Sequence, residues 1–470
     1  MKKSNLVNRI FATENMVKEN LRLGDITPSR EAYKTTVDMA LPAVAEMVSI
    51  SLIGMVDTVM VGRLGPYAVA AVGLTGQPRL IFMSFFMALN VGVVAIVSRR
   101  KGEGNRESAN LCLRQALSLE IVMSILLSLV AVSLAVPLMG LAGANEDTLT
   151  ASSSYFRIIS AGLVLQAMSA TICAAQRGVG NTKITMTVNL TANIVNVITN
   201  FLLIEGRFGF PRLEIEGAAI STIISASVGF TLALRSVLRR DAYLRISVRD
   251  NWKPDLPMIK LISRVGGSSM IEQLALRIGF FSYARVVAGL GTNDFAAHQI
   301  AMQLMNLSYT FAEGIGSAST ALVGQNIGKK RPDLSIMYGN IGQRLAMFVS
   351  AVLMILSLSG RSFFPGLFTD DPGIIETTSR LMAILAFIQP VQTSQIILAG
   401  GLRGAGDTRF VAFTMLGTVA FVRPVVSLIF VYILHFGLAG AWYAIMVDQV
   451  LRFIMVSRRF SKGNWIKIRI

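Results

Sequence analysis

Apolar runs near or above the ~20 residues a helix needs to cross about 30 Å of hydrocarbon recur from one end of the chain to the other, separated by short polar clusters. Twelve are read, over about 36 to 61, 75 to 98, 113 to 136, 153 to 175, 184 to 204, 216 to 236, 262 to 287, 297 to 323, 342 to 360, 378 to 401, 409 to 433 and 438 to 457. The pattern predicts an all-α polytopic membrane protein, because a backbone surrounded by lipid must satisfy its own hydrogen bonds.

The runs repeat. From Val59 the chain reads VMVGRLGPYAVAAVGLTGQ and from Arg285 it reads RVVAGLGTNDFAAHQIAMQ, so that Val61, Leu64, Gly65, Ala70, Ala71 and Gln77 recur 226 positions later. QRGVGNTK from Gln176 returns as LRGAGDTR from Leu402 at the same offset, and Val97 and Gly102 return as Val323 and Gly328. Two copies of one unit follow. Six spans per copy is an even number, so both copies enter the membrane in the same sense. Two parallel six-helix lobes with pseudo-two-fold symmetry about the membrane normal are expected, at 35–236 and 262–457, with a cavity between them at mid-depth. Residues 237–261 read as a cytoplasmic linker, and 1–34 and 458–470 as cytoplasmic tails; a helix lying on the membrane surface is expected around Leu6 to Leu23.

Composition agrees with a bilayer: 53% of residues are hydrophobic, 15% are charged and the mean hydropathy is +0.58. A net charge of +17 would suggest nucleic acid in a soluble protein, so the placement of the charges decides. With the N-terminus inside, about 34 of the 44 Lys and Arg fall on the cytoplasmic side and about 8 on the other. That bias sets both termini in the cytoplasm and argues against a nucleic-acid partner. Cys112 and Cys173 are the only cysteines, with no CxxC and no histidines at ligand spacing, so neither a disulfide nor a metal site is expected. No uninterrupted apolar core of a cleaved signal peptide is read in the first 34 residues.

Ionisable side chains inside spans are costly and point at function. Those read within spans are Glu46, Asp57, Glu120, Glu272, Arg277, Glu313, Arg423, Asp448 and Arg452. Glu46 and Asp57 share a face of the first span about 16 Å apart, with Pro42 one turn before Glu46. In the fifth span Asn189, Asn193, Asn196 and Asn200 fall at i, i+4, i+7 and i+11, a polar stripe that suits a hydrated or ligand-binding face, or interhelical hydrogen bonding. The eighth span carries a similar stripe of Gln299, Gln303, Asn306, Thr310 and Glu313. Glu272 lies away from Arg277 on its own helix, so it is either a coupling or substrate carboxylate or the partner of an arginine elsewhere, Arg423 being available. Asp448 and Arg452, at i and i+4, are expected to pair. Glu120, early in the third span, is read as structural, and His298, near a helix start, as an unpromising proton acceptor. RGVGNTK and RGAGDTR lack phosphate-loop spacing and read as tight cytoplasmic turns, with Asn181 or Asp407 and the following Thr capping the next helix. No nucleotide site follows, so an ion gradient must supply the work.

MVDTVMVGRLG around Asp57, the paired RGxG[ND]T[KR] turns, IEQLALRIG from Ile271, AAHQI from Ala296 and ALVGQNIG from Ala321 together resemble the multidrug and toxic compound extrusion family, from about residue 35 to 460. The resemblance implies a secondary antiporter, not an enzyme, that expels organic, often cationic, compounds in exchange for protons or sodium by alternating access. By position Asp57 matches the family's first-span carboxylate, Asn196 its fifth-span asparagine and Glu272 the seventh-span glutamate of some members. Asn200 stands where some members have an aspartate, and the tenth span offers only Gln389, Gln392 and Gln395 where those members add one. Asp57 and Glu272 are thus the expected coupling residues. Glu46, Asn189, Asn193, Asn196, Asn200, Gln299, Gln303, Asn306 and Glu313 are the expected cavity residues. No catalytic residue and no cofactor are expected. The proton is favoured over Na+ as coupling ion, because one carboxylate among neutral amides asks for a proton rather than a metal. Small organic cations and membrane lipids are the expected partners, and a monomer the expected state. A lipid-linked sugar flippase of the same superfamily would share the architecture but need several cavity arginines, where only Arg277 and Arg423 lie at mid-membrane; a channel would conduct without exchange.

Overall fold

The computed structural model describes residues 11–247, 249–468 and 470, with the side chain of Pro66 aside. Among them there is no strand, and the long helices number twelve when bent or interrupted ones are counted once. They are α1 (Ser29–Gly62), α2 (Pro66–Gly102), α3 (Arg106–Ser133), α4 (Glu146–Ala161 with Leu163–Gly178), α5 (Thr182–Leu203), α6 (Glu214–Leu238), α7 (Leu256–Ala288), α8 (Thr292–Gly328), α9 (Pro332–Ser359), α10 (Pro372–Gly404), α11 (Thr408–Ile433) and α12 (Gly437–Lys462). The polytopic all-α expectation is met. Nine of them, and the two pieces of α4 taken together, are long and apolar enough to cross a membrane; α7 and α8 reach the length and carry more polar side chains.

Several helices outrun the apolar stretches that announce them. The 37 residues of α2 rise about 55 Å, well past the ~30 Å hydrocarbon core. The apolar pattern marks the part in lipid and says nothing of the helical ends in water. Two spans are irregular for legible reasons. The α4 pieces meet at Gly162 with a 47° bend. In α11 two π segments, Leu416–Val422 and Ile429–Ile433, flank a short α stretch that opens with Arg423 and Pro424, where the proline has no N–H to give to the ladder.

The repeat is written in the backbone as well as in the letters. Gly65 and Gly291, 226 apart, have φ of 113° and 116°; Gly180 and Gly406, also 226 apart, have 90° and 89°. Only glycine adopts these values without strain, which explains why the glycines recur. Asn181 and Asp407 do sit at the N-cap positions just before α5 and α11, but neither side chain caps its helix; Asp407 instead accepts from Arg459 Nε at 2.7 Å.

Two compact units emerge. One comprises Ala45–Lys101 and Asn105–Gly266; the other comprises Gly267–Ile470, Gly102–Gly104 and the described residues up to Val44. The 237–261 stretch is packed into the first unit rather than strung out as a linker. Arg106 donates to the carbonyls of Tyr243 and Ala242 at 2.8 and 2.7 Å, Gln115 donates to the carbonyl of Lys253 at 2.9 Å, and Lys101 sits 3.6 Å over the Tyr243 ring. Likewise the tail belongs to the second unit. From residue 11 to 23 it forms two 3-10 turns, Thr13–Met16 and Glu19–Leu21, not a surface helix; the expected start of that helix, Leu6 to Ile10, lies outside the described residues. Met16 and Val17 are buried against Leu334, Met337 and Tyr338 of α9. Asp333 accepts from the Leu23 amide at 3.1 Å, and Arg331, paired with Asp333, donates to the Asp25 carbonyl at 2.8 Å.

Candidate functional site

In the first unit Asp57 on α1 meets the end of the α5 stripe. Asn200 Nδ2 donates to Asp57 Oδ1 over 2.8 Å, and turning the Asn196 amide over brings its nitrogen within 2.9 and 3.1 Å of the two carboxylate oxygens. Both asparagines are buried and one helical turn apart, so they present two N–H donors to one side of the carboxylate. The other side opens on a cavity of about 160 Å³ whose lining includes Thr58, Val72, Tyr155, Asn200 and Thr222. At ~30 Å³ per water it holds about five waters, and it falls short of the ~300 Å³ at which sites for drug-sized ligands begin. In this structure the space beside Asp57 holds an ion and its water. Among the described residues no group of three or more His, Cys, Asp or Glu could hold a metal ion.

Arg79 on α2 was not foreseen. It follows Pro78 inside the second span, hydrogen bonds Gln166 at 3.4 Å and acts electrostatically on both Asp57 and Tyr155. The surroundings of Asp57 are therefore two amides and one guanidinium, not amides alone. An arginine inside a span is itself the signal that could have found it.

The rest of the polar stripe goes elsewhere. Glu46 is 1% exposed and fully engaged: Arg177 Nη1 lies 3.1 Å from Oε1, Asn189 Nδ2 donates to Oε1 at 2.7 Å and Thr185 Oγ1 donates to Oε2 at 2.7 Å. Asn189 therefore serves Glu46, Asn196 and Asn200 serve Asp57, and Asn193 has an unpartnered amide nitrogen between them. The single face expected of four asparagines is two separate clusters.

In the second unit Glu272 is paired through both carboxylate oxygens with Arg403, and not with Arg423. This is the repeat of the Glu46 and Arg177 pair, since 46 and 272, like 177 and 403, stand 226 apart. The arginines that open the glycine-rich turns, read from sequence as turn residues, are the counter-charges of two intramembrane glutamates. Glu313 acts on Arg403 as well and bonds the Tyr309 hydroxyl. Gln299, Gln303 and Asn306 are exposed along α8. On α10 Gln389 bonds Ser357 at 3.1 Å, while Gln392 and Gln395 are buried with unpartnered oxygens.

Asp448 and Arg452 pair as expected, at 2.7 Å, and Arg423 joins them on the same carboxylate oxygen. All three are at most 4% exposed, so this is a closed structural cluster with one excess positive charge. His298 is buried among the rings of Tyr283, Phe295 and Trp442. Glu120 was placed near a membrane boundary by sequence. It is the fifteenth residue of the 28 in α3, about 20 Å from its start, and completely buried.

Two repeated sets of apolar helices, with carboxylates held inside the spans by amides and arginines, define a membrane transporter built on an internal repeat. The chain belongs to the MatE family, whose model matches residues 42–202 and 269–433. Its members are transporters and not enzymes. Among curated proteins the chain is 26% identical to an uncharacterized transporter, YisQ, of Bacillus subtilis (91% of this chain, 93% of that one) and 27% identical to a probable multidrug resistance protein, NorM, of Thermotoga maritima (93% and 94%). It is 25% identical to multidrug resistance protein MdtK of Pectobacterium atrosepticum (91% and 95%). Among solved structures the fold matches an outward-facing multidrug resistance MATE transporter with a TM-score of 0.85 at 21% identity (92% of this chain, 96% of that one). It matches a MOP superfamily transporter from Pyrococcus furiosus with a TM-score of 0.86, also at 21% identity (93% and 97%).

Proposed function

We propose that the protein is a proton-coupled antiporter that exports organic cations across the membrane by alternating access, with both termini in the cytoplasm. The observation that carries this reading is the Asp57 carboxylate, held by α5 amides beside a cavity large enough for an ion and its water. The relatives named as multidrug resistance proteins support an organic cargo, and about 34 of 44 basic residues on one side support the orientation.

The donors around Asp57 support a proton over sodium. Asn200 turns an N–H toward Asp57, and Asn196 does so once its amide is turned over, a donor set that supports a proton over a hard metal cation at this carboxylate. A proton needs a single oxygen. Charged Asp57 attracts a cation, and a proton arriving from outside neutralises it and releases the cargo. Glu272, locked to Arg403, becomes available to a cation only when that pair opens. Purified protein in proteoliposomes, with proton and sodium gradients imposed separately, tests the reading: efflux of a lipophilic cation driven by the pH gradient alone supports it, and efflux that follows sodium at fixed pH refutes it.

A further inference from the structure

Glu120 is completely buried in the middle of α3 and, among the described residues, makes no ion pair. One carboxyl oxygen, Oε2, has no partner; the other, Oε1, lies 3.0 Å from Thr171 Oγ1 on α4. The same Thr171 oxygen lies 2.8 Å from Asn90 Oδ1 on α2. The three oxygens form a chain across three helices with too few hydrogens. A threonine hydroxyl has one proton to donate, and both its neighbours here are acceptors if Glu120 is charged. One of the two short contacts would then set oxygen against oxygen with nothing between. A proton on Glu120 resolves it: the acid donates to Thr171, and Thr171 donates to the Asn90 carbonyl; turning the Asn90 amide over would supply a hydrogen too, but would leave the Glu120 charge buried with no counter-charge. Among the described residues the arginines nearest this level of the three helices bond elsewhere, Arg79 to Gln166, Arg114 to Asp250 and Arg177 to Glu46. A lone buried carboxylate in a span is otherwise strongly disfavoured.

We propose that Glu120 is a second proton-binding site of the amino-terminal unit, holding a proton through the Glu120, Thr171 and Asn90 chain and exchanging it during transport. Because each member sits on a different helix, any shift of α2, α3 or α4 against the others breaks the chain and changes how firmly the proton is held. The exchange, though not the occupancy, rests on the proton-antiport reading above.

Infrared spectra of the full chain in detergent at pH 7 test the occupancy. The expected result is a protonated-carboxyl absorption that Glu120→Gln removes and Asp57→Asn leaves in place; no loss in Glu120→Gln overturns the proposal. If that variant does not fold, Thr171→Val, close in shape, must shift the same absorption by removing its hydrogen-bond acceptor, and an unshifted spectrum overturns it equally. Exchange is read as protons released when tetraphenylphosphonium is added in weak buffer. Glu120→Gln should release about one proton fewer per chain than the unaltered protein, and equal release overturns the exchange. If Asp57→Asn releases as many protons as the unaltered protein, it is the Asp57 reading that fails, and the infrared result for Glu120 stands apart from it.

Discussion

Arg177 Nη1 lies 3.1 Å from Glu46 Oε1, and the carboxylate is 1% exposed while the guanidinium keeps about a fifth of its surface. The same pair recurs 226 residues on, where Arg403 holds Glu272. A pair preserved between the two repeats joins the first helix of each set to the end of the fourth, α1 to α4 and α7 to α10. Breaking such a pair by removing one partner leaves a buried charge without compensation, which costs about 3 to 5 kcal/mol when both groups are dry. The partial exposure of the arginines moves the expectation to the lower end.

Arg177→Gln and Arg403→Gln should therefore each destabilise the protein by about 3 kcal/mol, read as a drop in melting temperature in detergent. Glu46→Gln should cost less than Arg177→Gln, because the freed arginine reaches water while the freed glutamate does not. The double variant Glu46→Gln with Arg177→Gln should lose clearly less than the sum of the singles. Strict additivity would mean the two side chains do not interact.

Much of this was legible in the letters, and the misses share a cause. Helix number, repeat offset and the special glycines all follow from local chemistry: runs of apolar residues, and turns only glycine can make. The Glu46 and Glu272 pairings depend on which helix ends come together, and periodicity along one helix carries no such information. Even so, the offset held a clue. Glu46 recurs as Glu272 and Arg177 as Arg403, and a charge conserved with its opposite across two copies is a candidate pair. Asp57 recurs as Tyr283 and Asn200 as Val426, so the amide-held carboxylate belongs to one unit alone. The tail was misread because its apolar residues suit a membrane surface and a protein surface equally; Met16 and Val17 found α9.

That docking is itself testable. Arg331 and Asp333 fasten the chain between Leu23 and Asp25 through one amide and one carbonyl. Asp333→Asn weakens the acceptor for Leu23 and removes the partner of Arg331. It should make the Leu21 to Asp25 segment markedly more susceptible to limited proteolysis, by several-fold in initial rate, while the helices resist. An unchanged cleavage rate would show that the Met16 and Val17 packing alone holds the tail.

The orientation can be settled with single cysteines, because Cys112 and Cys173 are both free and buried and should be silent to a membrane-impermeant reagent. Cysteines placed at Ser108, in the first turn of α3, and at Lys329, between α8 and α9, should react only from the cytoplasmic side. One placed at Asp371, at the start of α10, should react only from outside. Labelling of Ser108 from outside would reverse the assignment of both termini.

The coupling ion turns on what replaces the charge at Asp57. Asp57→Asn keeps the size of the side chain and one oxygen able to accept the Asn200 N–H, so the α1 and α5 contact should survive. What disappears is the ability to take up and lose a proton. Exchange driven by an imposed pH gradient should then fall sharply, while binding of a cationic probe becomes less steeply dependent on pH by the share of the released protons that Asp57 carries. Binding should also weaken, since the charge that attracted the cation is gone, by about tenfold for each ~1.4 kcal/mol of lost attraction. The decisive measurement is probe affinity against pH in both proteins. A sloping curve in Asp57→Asn, parallel to that of the unaltered protein, would place the proton elsewhere and leave Asp57 as a cargo contact only.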